Sequence, residues 1–242
     1  MAAANPTILA TSIGFDGSAV AVHPGPIYAE ALRLAEVRGR RARFCIVPSA
    51  LGDDPSALAT FYSAFAELDV ELSHLRLFPM PNFEDPRAHL LRQDVIWVAG
   101  GSTANLLALW RTHGLDSVFR DCWEAGVVLT GVSAGSVCWH LGGTTDSFGP
   151  ELRPFTDGLG FLPYSNSPHH DAEEQRRPVF ERLIAEGVLS DGYATDNGAG
   201  LVYRGTELHE VVSDTAGALG YEVTRREDGT VQERPLPTRE LG

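Results

Sequence analysis

Gly131-Val132-Ser133-Ala134-Gly135 sets a serine among small residues in the pattern G-x-S-x-G, directly after the apolar run Val127 to Val132. At the end of a buried strand, such a turn holds the serine in a strained backbone with its hydroxyl exposed. Small neighbours then let strand and following helix come close. The chemistry on offer is attack on a carbonyl, with the N–H of Ala134 beside the oxygen that becomes negative. Taken alone the pentapeptide is common in α/β turns, but a second glycine turn, Ala99-Gly100-Gly101-Ser102-Thr103, follows the preceding strand. In a parallel sheet both turns lie at one edge, where ligands bind. Gly101 is therefore the second candidate oxyanion donor. The Gly100-Gly101 spacing fits neither the dinucleotide nor the P-loop phosphate pattern.

A serine hydroxyl needs a hydrogen-bonded base, usually an imidazole fixed by a third group. Of the eight histidines, His169 and His170 follow Asn166-Ser167-Pro168, where a strand end meets a loop, and His169 is the candidate base. His140 is placed on a short helix expected over Ser136 to Leu141, directed away from the hydroxyl. Asp146 is the candidate third group, with Asp196 the alternative and Asp171 behind both. The histidine pair with Asp171 could also ligate a metal, but neighbours in a strand face opposite sides and no second ligand cluster accompanies them. No metal or organic cofactor is expected.

Positioning these groups requires an alternation of strands and helices, and the chain has one. Strands are predicted near Thr7 to Ile13, Ala42 to Val47, Glu71 to Leu77, Asp94 to Ala99 and Val127 to Val132. Helices are predicted over Pro26 to Arg38, Pro55 to Leu68, Thr103 to Arg111 and Leu115 to Ala125. This is the signature of an α/β fold, a three-layer sandwich whose mostly parallel central sheet carries helices on both faces. The unbroken Val95-Ile96-Trp97-Val98 fits a strand buried on both sides. Beyond Ser133 come a Gly/Pro-rich stretch from Gly142 to Pro168 and a helix from about Glu174 to Glu186. Strands follow over Gly200 to Tyr203, Glu207 to Val212 and Leu219 to Val223, then a charged tail from Arg225 that is expected to fray.

The 242 residues, 43% hydrophobic and 21% charged, suit a single domain over 1–242 with a core that needs no staple. Acidic residues outnumber basic ones 32 to 19, and no basic run exceeds two residues, which argues against nucleic acid as a partner. Cys45, Cys122 and Cys138 form no C-x-x-C pair and read as buried free thiols of a reducing compartment. No secretory leader or membrane-length apolar run is seen, so a cytoplasmic protein without membrane partners is expected.

Three blocks, Val98-Ala99-Gly100-Gly101-Ser102-Thr103-Ala104-Asn105-Leu106, Gly131 to Gly135, and Ser167-Pro168-His169-His170, occur in an order and spacing more specific than G-x-S-x-G. Through them the chain resembles the serine peptidases of the dipeptidase E (S51) family, whose relatives include cyanophycinases. The resemblance implies a fold like that of class I glutamine amidotransferases (flavodoxin-like), Ser133 as nucleophile, His169 as base, and Gly101 and Ala134 as oxyanion donors. The Thr-Thr-Asp segment resembles the family block carrying the acidic partner, which favours Asp146. It also implies hydrolysis of short peptides. Aspartyl dipeptidases of the family carry an arginine just after the histidine, and that position falls on Glu173, which would repel an acidic side chain. Strict Asp-X specificity is therefore left open, since Arg176 or Arg177 could take that arginine's place from the next positions on the helix. Glu173, Arg176 and Arg177 are the candidate substrate-binding residues, and a homodimer is left open. Two other readings fit the same residues: an esterase or amidase acting on a non-peptide acyl group, and a non-catalytic binding module of amidotransferase-like architecture.

Overall fold

Val95 to Val98 is apolar at every position because both faces of its strand are covered. Ile96 and Val98 pack with Leu106, Trp110 and Phe119, while Val95 and Trp97 pack with Ile27, Tyr28 and Phe61 in a second cluster. The computed structural model describes residues 5–13, 15 and 23–242. Its first sheet is built on β1 (Thr7–Thr11), β2 (Ala42–Val47), β3 (Val70–His74), β4 (Val95–Val98) and β5 (Val128–Val132), parallel in the spatial order β1-β5-β4-β2-β3. Helices α1 (Pro26–Leu34), α2 (Pro55–Ala64), α3 (Pro86–Leu90), α4 (Thr103–Thr112) and α5 (Leu115–Glu124) connect them. Proline opens the first three, where its missing N–H costs nothing. The side chains of Asp54, Asp85 and Ser102 cap α2, α3 and α4.

After Ser133 the structure departs from the expected pattern. The helix is a single turn, α6 (Ala134–Val137), and His140 already begins β6 (His140–Thr145). The Gly/Pro-rich stretch is largely sheet, with β7 (Arg153–Phe155) and β8 (Leu162–Pro168) pairing on either side of β6. A Cβ on Gly142 would stand 1.9 Å from the Phe155 carbonyl oxygen, and one on Gly143 2.1 Å from that of Asn166. These glycines serve close strand approach, not loop flexibility. Next come α7 (Arg176–Ala185), β9 (Gly192–Thr195), β10 (Ala199–Arg204), β11 (Glu207–Ser213), β12 (Gly220–Arg225), β13 (Val231–Leu236) and β14 (Thr238–Glu240). The tail is therefore ordered: β13 pairs with β12, and β14 lies beside β11 with Arg239 bonded to Glu30 and Glu210.

The result is an α/β fold of two mixed sheets, ordered β14-β11-β10-β1-β5-β4-β2-β3 and β13-β12-β9-β8-β6-β7, with seven α-helices among the described residues. None of these helices is long and apolar enough to cross a membrane. All three cysteines are free and buried, and burial pushes the Cys45 and Cys122 thiols up to about 12, leaving them unreactive near neutral pH.

Candidate active site

Ser133 sits between the last residue of β5 and the first of α6, with φ 55° and ψ −111°. That is a costly conformation for a residue with a Cβ, about 1–3 kcal/mol. Two glycines make it attainable. A Cβ on Gly131 would lie 2.5 Å from the Gly135 carbonyl oxygen, and one on Gly135 2.3 Å from that of Val98. Strand and helix therefore meet backbone to backbone. The Ser133 N–H donates to the Thr11 carbonyl at 3.0 Å, and its own carbonyl accepts from Ser136 and Val137.

The turn after β4 lies alongside. A Cβ on Gly100 would stand 3.3 Å from the Ser133 Cβ, and Gly101 has φ 130° with its α-carbon pressed against the Ala50 carbonyl. Among the described residues, the N–H groups of Gly101 and Ala134 donate to no protein acceptor, and neither does the Ser133 hydroxyl. Gly101, Ser102 and Ser133 line a cavity of about 310 Å³ together with Asp146, Glu173 and Arg176.

His169 follows the last residue of β8 and also has positive φ, 58°. Its N–H donates to the Ser12 hydroxyl at 2.9 Å. Ser133 and His169 are thus pinned to consecutive residues, Thr11 and Ser12, at the end of β1. Imidazole Nδ1–H donates to Asn197 Oδ1 at 2.5 Å, and the Asn197 N–H donates to Asp171 at 2.7 Å. This leaves Nε2 as the basic nitrogen. No direct hydrogen bond joins Ser133 Oγ to the imidazole. His169 faces a neighbouring cleft of about 700 Å³, and Val132, next to the serine, lines that cleft too. Contacts of this kind commonly tighten only when substrate is bound.

The carboxylates weighed for the third position lie elsewhere. Asp146 is exposed at the end of β6 and fronts the Ser133 cavity, not the imidazole. Asp196 is turned away, accepting from the Leu219 N–H and the Tyr221 hydroxyl. Asp171 stands one step behind, holding the Asn197 backbone. The place expected of a carboxylate is taken by the amide oxygen of Asn197, which can equally accept from Nδ1–H and carries no charge to mark it in the sequence.

The candidate substrate-binding residues separate. Arg176 is 3% exposed. Its guanidinium donates to Glu173 at 2.7 Å and to the Thr144 carbonyl at 2.8 Å, and both Arg176 and Glu173 line the Ser133 cavity. Arg177 faces the second sheet, over the Tyr221 ring and 3.4 Å from Glu233, outside the site. His170 is buried there as well, donating to Glu233 at 2.7 Å; burial lowers its basicity. His140 is on a strand and wholly buried between the Ser136 carbonyl and the Tyr203 hydroxyl, with its pKa drawn down to about 4 by desolvation.

The same fold is found in solved peptidase structures. A crystal structure of a peptidase from an acI-B1 actinobacterium aligns with TM-score 0.65 at 16% identity, covering 95% of this chain and 94% of that one. One of a candidate peptidase E from Listeria monocytogenes EGD-e aligns with TM-score 0.59 at 19% identity, covering 85% and 98%. At such identities the likeness is one of fold. Sequence carries it further. An uncharacterized peptidase, YgaJ, of Bacillus subtilis is 40% identical over 230 residues, 95% of this chain and 98% of the relative. A peptidase E of Shewanella denitrificans is 27% identical over 188 residues, 74% of each. The profile of peptidase family S51 matches residues 28–211. The chain belongs to peptidase family S51, a family of serine-type peptidases.

Proposed function

We propose that the chain hydrolyses short peptides through an acyl-enzyme, within a three-layer, flavodoxin-like architecture of the class I glutamine amidotransferase kind. The observation that carries this is the strained Ser133 turn packed against the Gly100-Gly101 turn, with Ser133 and Gly101 lining one small cavity and with the Ser133 hydroxyl and the Gly101 and Ala134 N–H groups all lacking protein acceptors among the described residues. Ser133 Oγ attacks the scissile carbonyl while His169 Nε2 takes its proton. The N–H groups of Gly101 and Ala134 stabilise the oxygen that becomes negative. The tetrahedral intermediate collapses by breaking the C–N bond, His169 returns the proton to the departing amine, and water repeats the sequence on the acyl-serine. A cavity of about 310 Å³ suits the end of a short chain. The guanidinium of Arg176 is already engaged by Glu173 and Thr144, and Asp146 adds a second carboxylate. This wall makes no demand for an acidic substrate side chain. The decisive test is a fluorophosphonate probe followed by peptide mapping: an adduct on Ser133 is expected, and a folded protein left unlabelled there would refute the reading.

In this scheme Asn197 replaces Asp146 as the residue that orients the imidazole. Its amide oxygen selects the Nδ1–H tautomer but brings no charge to stabilise the imidazolium. Asn197→Asp is therefore expected to raise kcat about tenfold and Asn197→Ala to lower it by a similar factor, each with little change in KM. Steady-state kinetics on one dipeptide check both. Equal kcat in all three proteins would remove Asn197 from the mechanism.

A further inference from the structure

A third cavity touches the nucleophile's turn, and its chemistry differs from the other two. It is an almost wholly apolar cleft of about 290 Å³ lined by Phe15, Tyr28, Leu51, Ala57, Phe61 and Val132. Phe15 stacks on Tyr28 with ring centroids 5.5 Å apart and meets Phe61 at 4.6 Å, which gives the cleft an aromatic wall. Leu51 is 42% exposed at its mouth. The cleft also reaches Gly100, beside Ser133, and it shares Phe15 and Val132 with the cleft of His169.

The chemistry of acyl transfer orders these spaces. The imidazole that accepts the serine proton must hand it to the leaving nitrogen, so the departing residue lies on the His169 side. The acyl residue stays with Ser133 and the oxyanion turn, in the cavity walled by Asp146, Glu173 and Arg176, which His169 does not line. From the leaving-group side, the apolar cleft is reached directly past Phe15 and Val132. We propose that this cleft binds the side chain of the released residue and selects a large apolar one, aromatic or branched aliphatic. The proposal rests on the peptidase reading above and names its leaving-group specificity.

The experiment compares dipeptides that share one acyl residue and end in Phe, Leu or Gly, on the wild-type protein and on Ala57→Trp, which fills the cleft. The expected wild-type preference in kcat/KM for Phe and Leu over Gly is about 10–100-fold, the range for burying one such side chain. Ala57→Trp is expected to bring that ratio close to one, and Leu51→Ala, at the exposed mouth, to reduce it several-fold. Circular dichroism and fluorophosphonate labelling of Ser133 verify that each variant is folded. Equal kcat/KM for all three substrates, or a ratio unchanged in folded Ala57→Trp, would overturn the proposal. Should no dipeptide be turned over, the peptidase reading fails by itself. Calorimetric binding of the same dipeptides then decides on the cleft: tighter binding of the Phe peptide that Ala57→Trp abolishes supports it, and equal binding overturns it.

Discussion

Ser133→Ala is expected to lower kcat on any dipeptide the protein hydrolyses by about 10⁴–10⁶-fold, while KM and melting temperature stay close to wild type. The separation of activity from stability follows from the geometry. The hydroxyl donates to nothing among the described residues, and the turn is held by the main chain through Thr11, Ser136 and Val137. Alanine pays the same backbone strain as serine, so the turn survives. Ser136, three residues on, makes the contrast. It is fully buried and donates to the Asn166 side chain at 2.8 Å. Ser136→Ala strands that amide oxygen and is expected to cost about 1–3 kcal/mol of stability without the catalytic collapse. Kinetics and thermal melts on the two variants, run side by side, separate a nucleophile from a structural hydroxyl. A Ser133→Ala protein with undiminished turnover would take the serine out of the mechanism.

The parts of the molecule legible in the sequence are those set by local rules. Pro26 and Pro55 mark helix starts because an N1 proline is harmless, and Val95 to Val98 declares a doubly covered strand, whereas the helix opened by Pro86 spans only five residues, too short to show an apolar period. Ser133, Gly101 and His169 are visible for the same reason: each needs a special turn, and the turn's residues are adjacent in the chain. What was not legible depends on distant pairing. Gly142 and Gly143 look like loop residues until β7 and β8 are laid against them. Asn197 reaches His169 only because β8 and β9 run parallel with Pro168 opposite Thr195. That register brings together residues 28 positions apart. Arg176 and Arg177 differ by one step of helical phase, and the run Glu173-Glu174-Gln175-Arg176-Arg177 holds no apolar residue to fix that phase. One arginine enters the Ser133 cavity and its neighbour pairs with Glu233.

Gly101→Ala is expected to damage catalysis next most severely, and for a different reason. The added Cβ would stand 2.3 Å from the Ala50 carbonyl oxygen, on a residue whose φ of 130° is one that L side chains rarely adopt. The Ser102 N–H also donates to that carbonyl, at 2.9 Å, so the whole turn is fastened to Ala50. Relief of the clash must push the turn away from Ala50 and carry the Gly101 amide off the position where it meets the developing oxyanion. Losing one such donor costs about 10²–10³-fold in kcat, with KM much less affected. Gly205 supplies the comparison, since its φ is 58° and a Cβ there meets nothing within 4 Å, in the turn between β10 and β11. Gly205→Ala carries only the left-handed backbone penalty, about 1–2 kcal/mol of stability, and leaves turnover intact. If both variants lose stability and neither loses kcat, the Gly101 amide is not an oxyanion donor, and the second glycine turn serves packing alone.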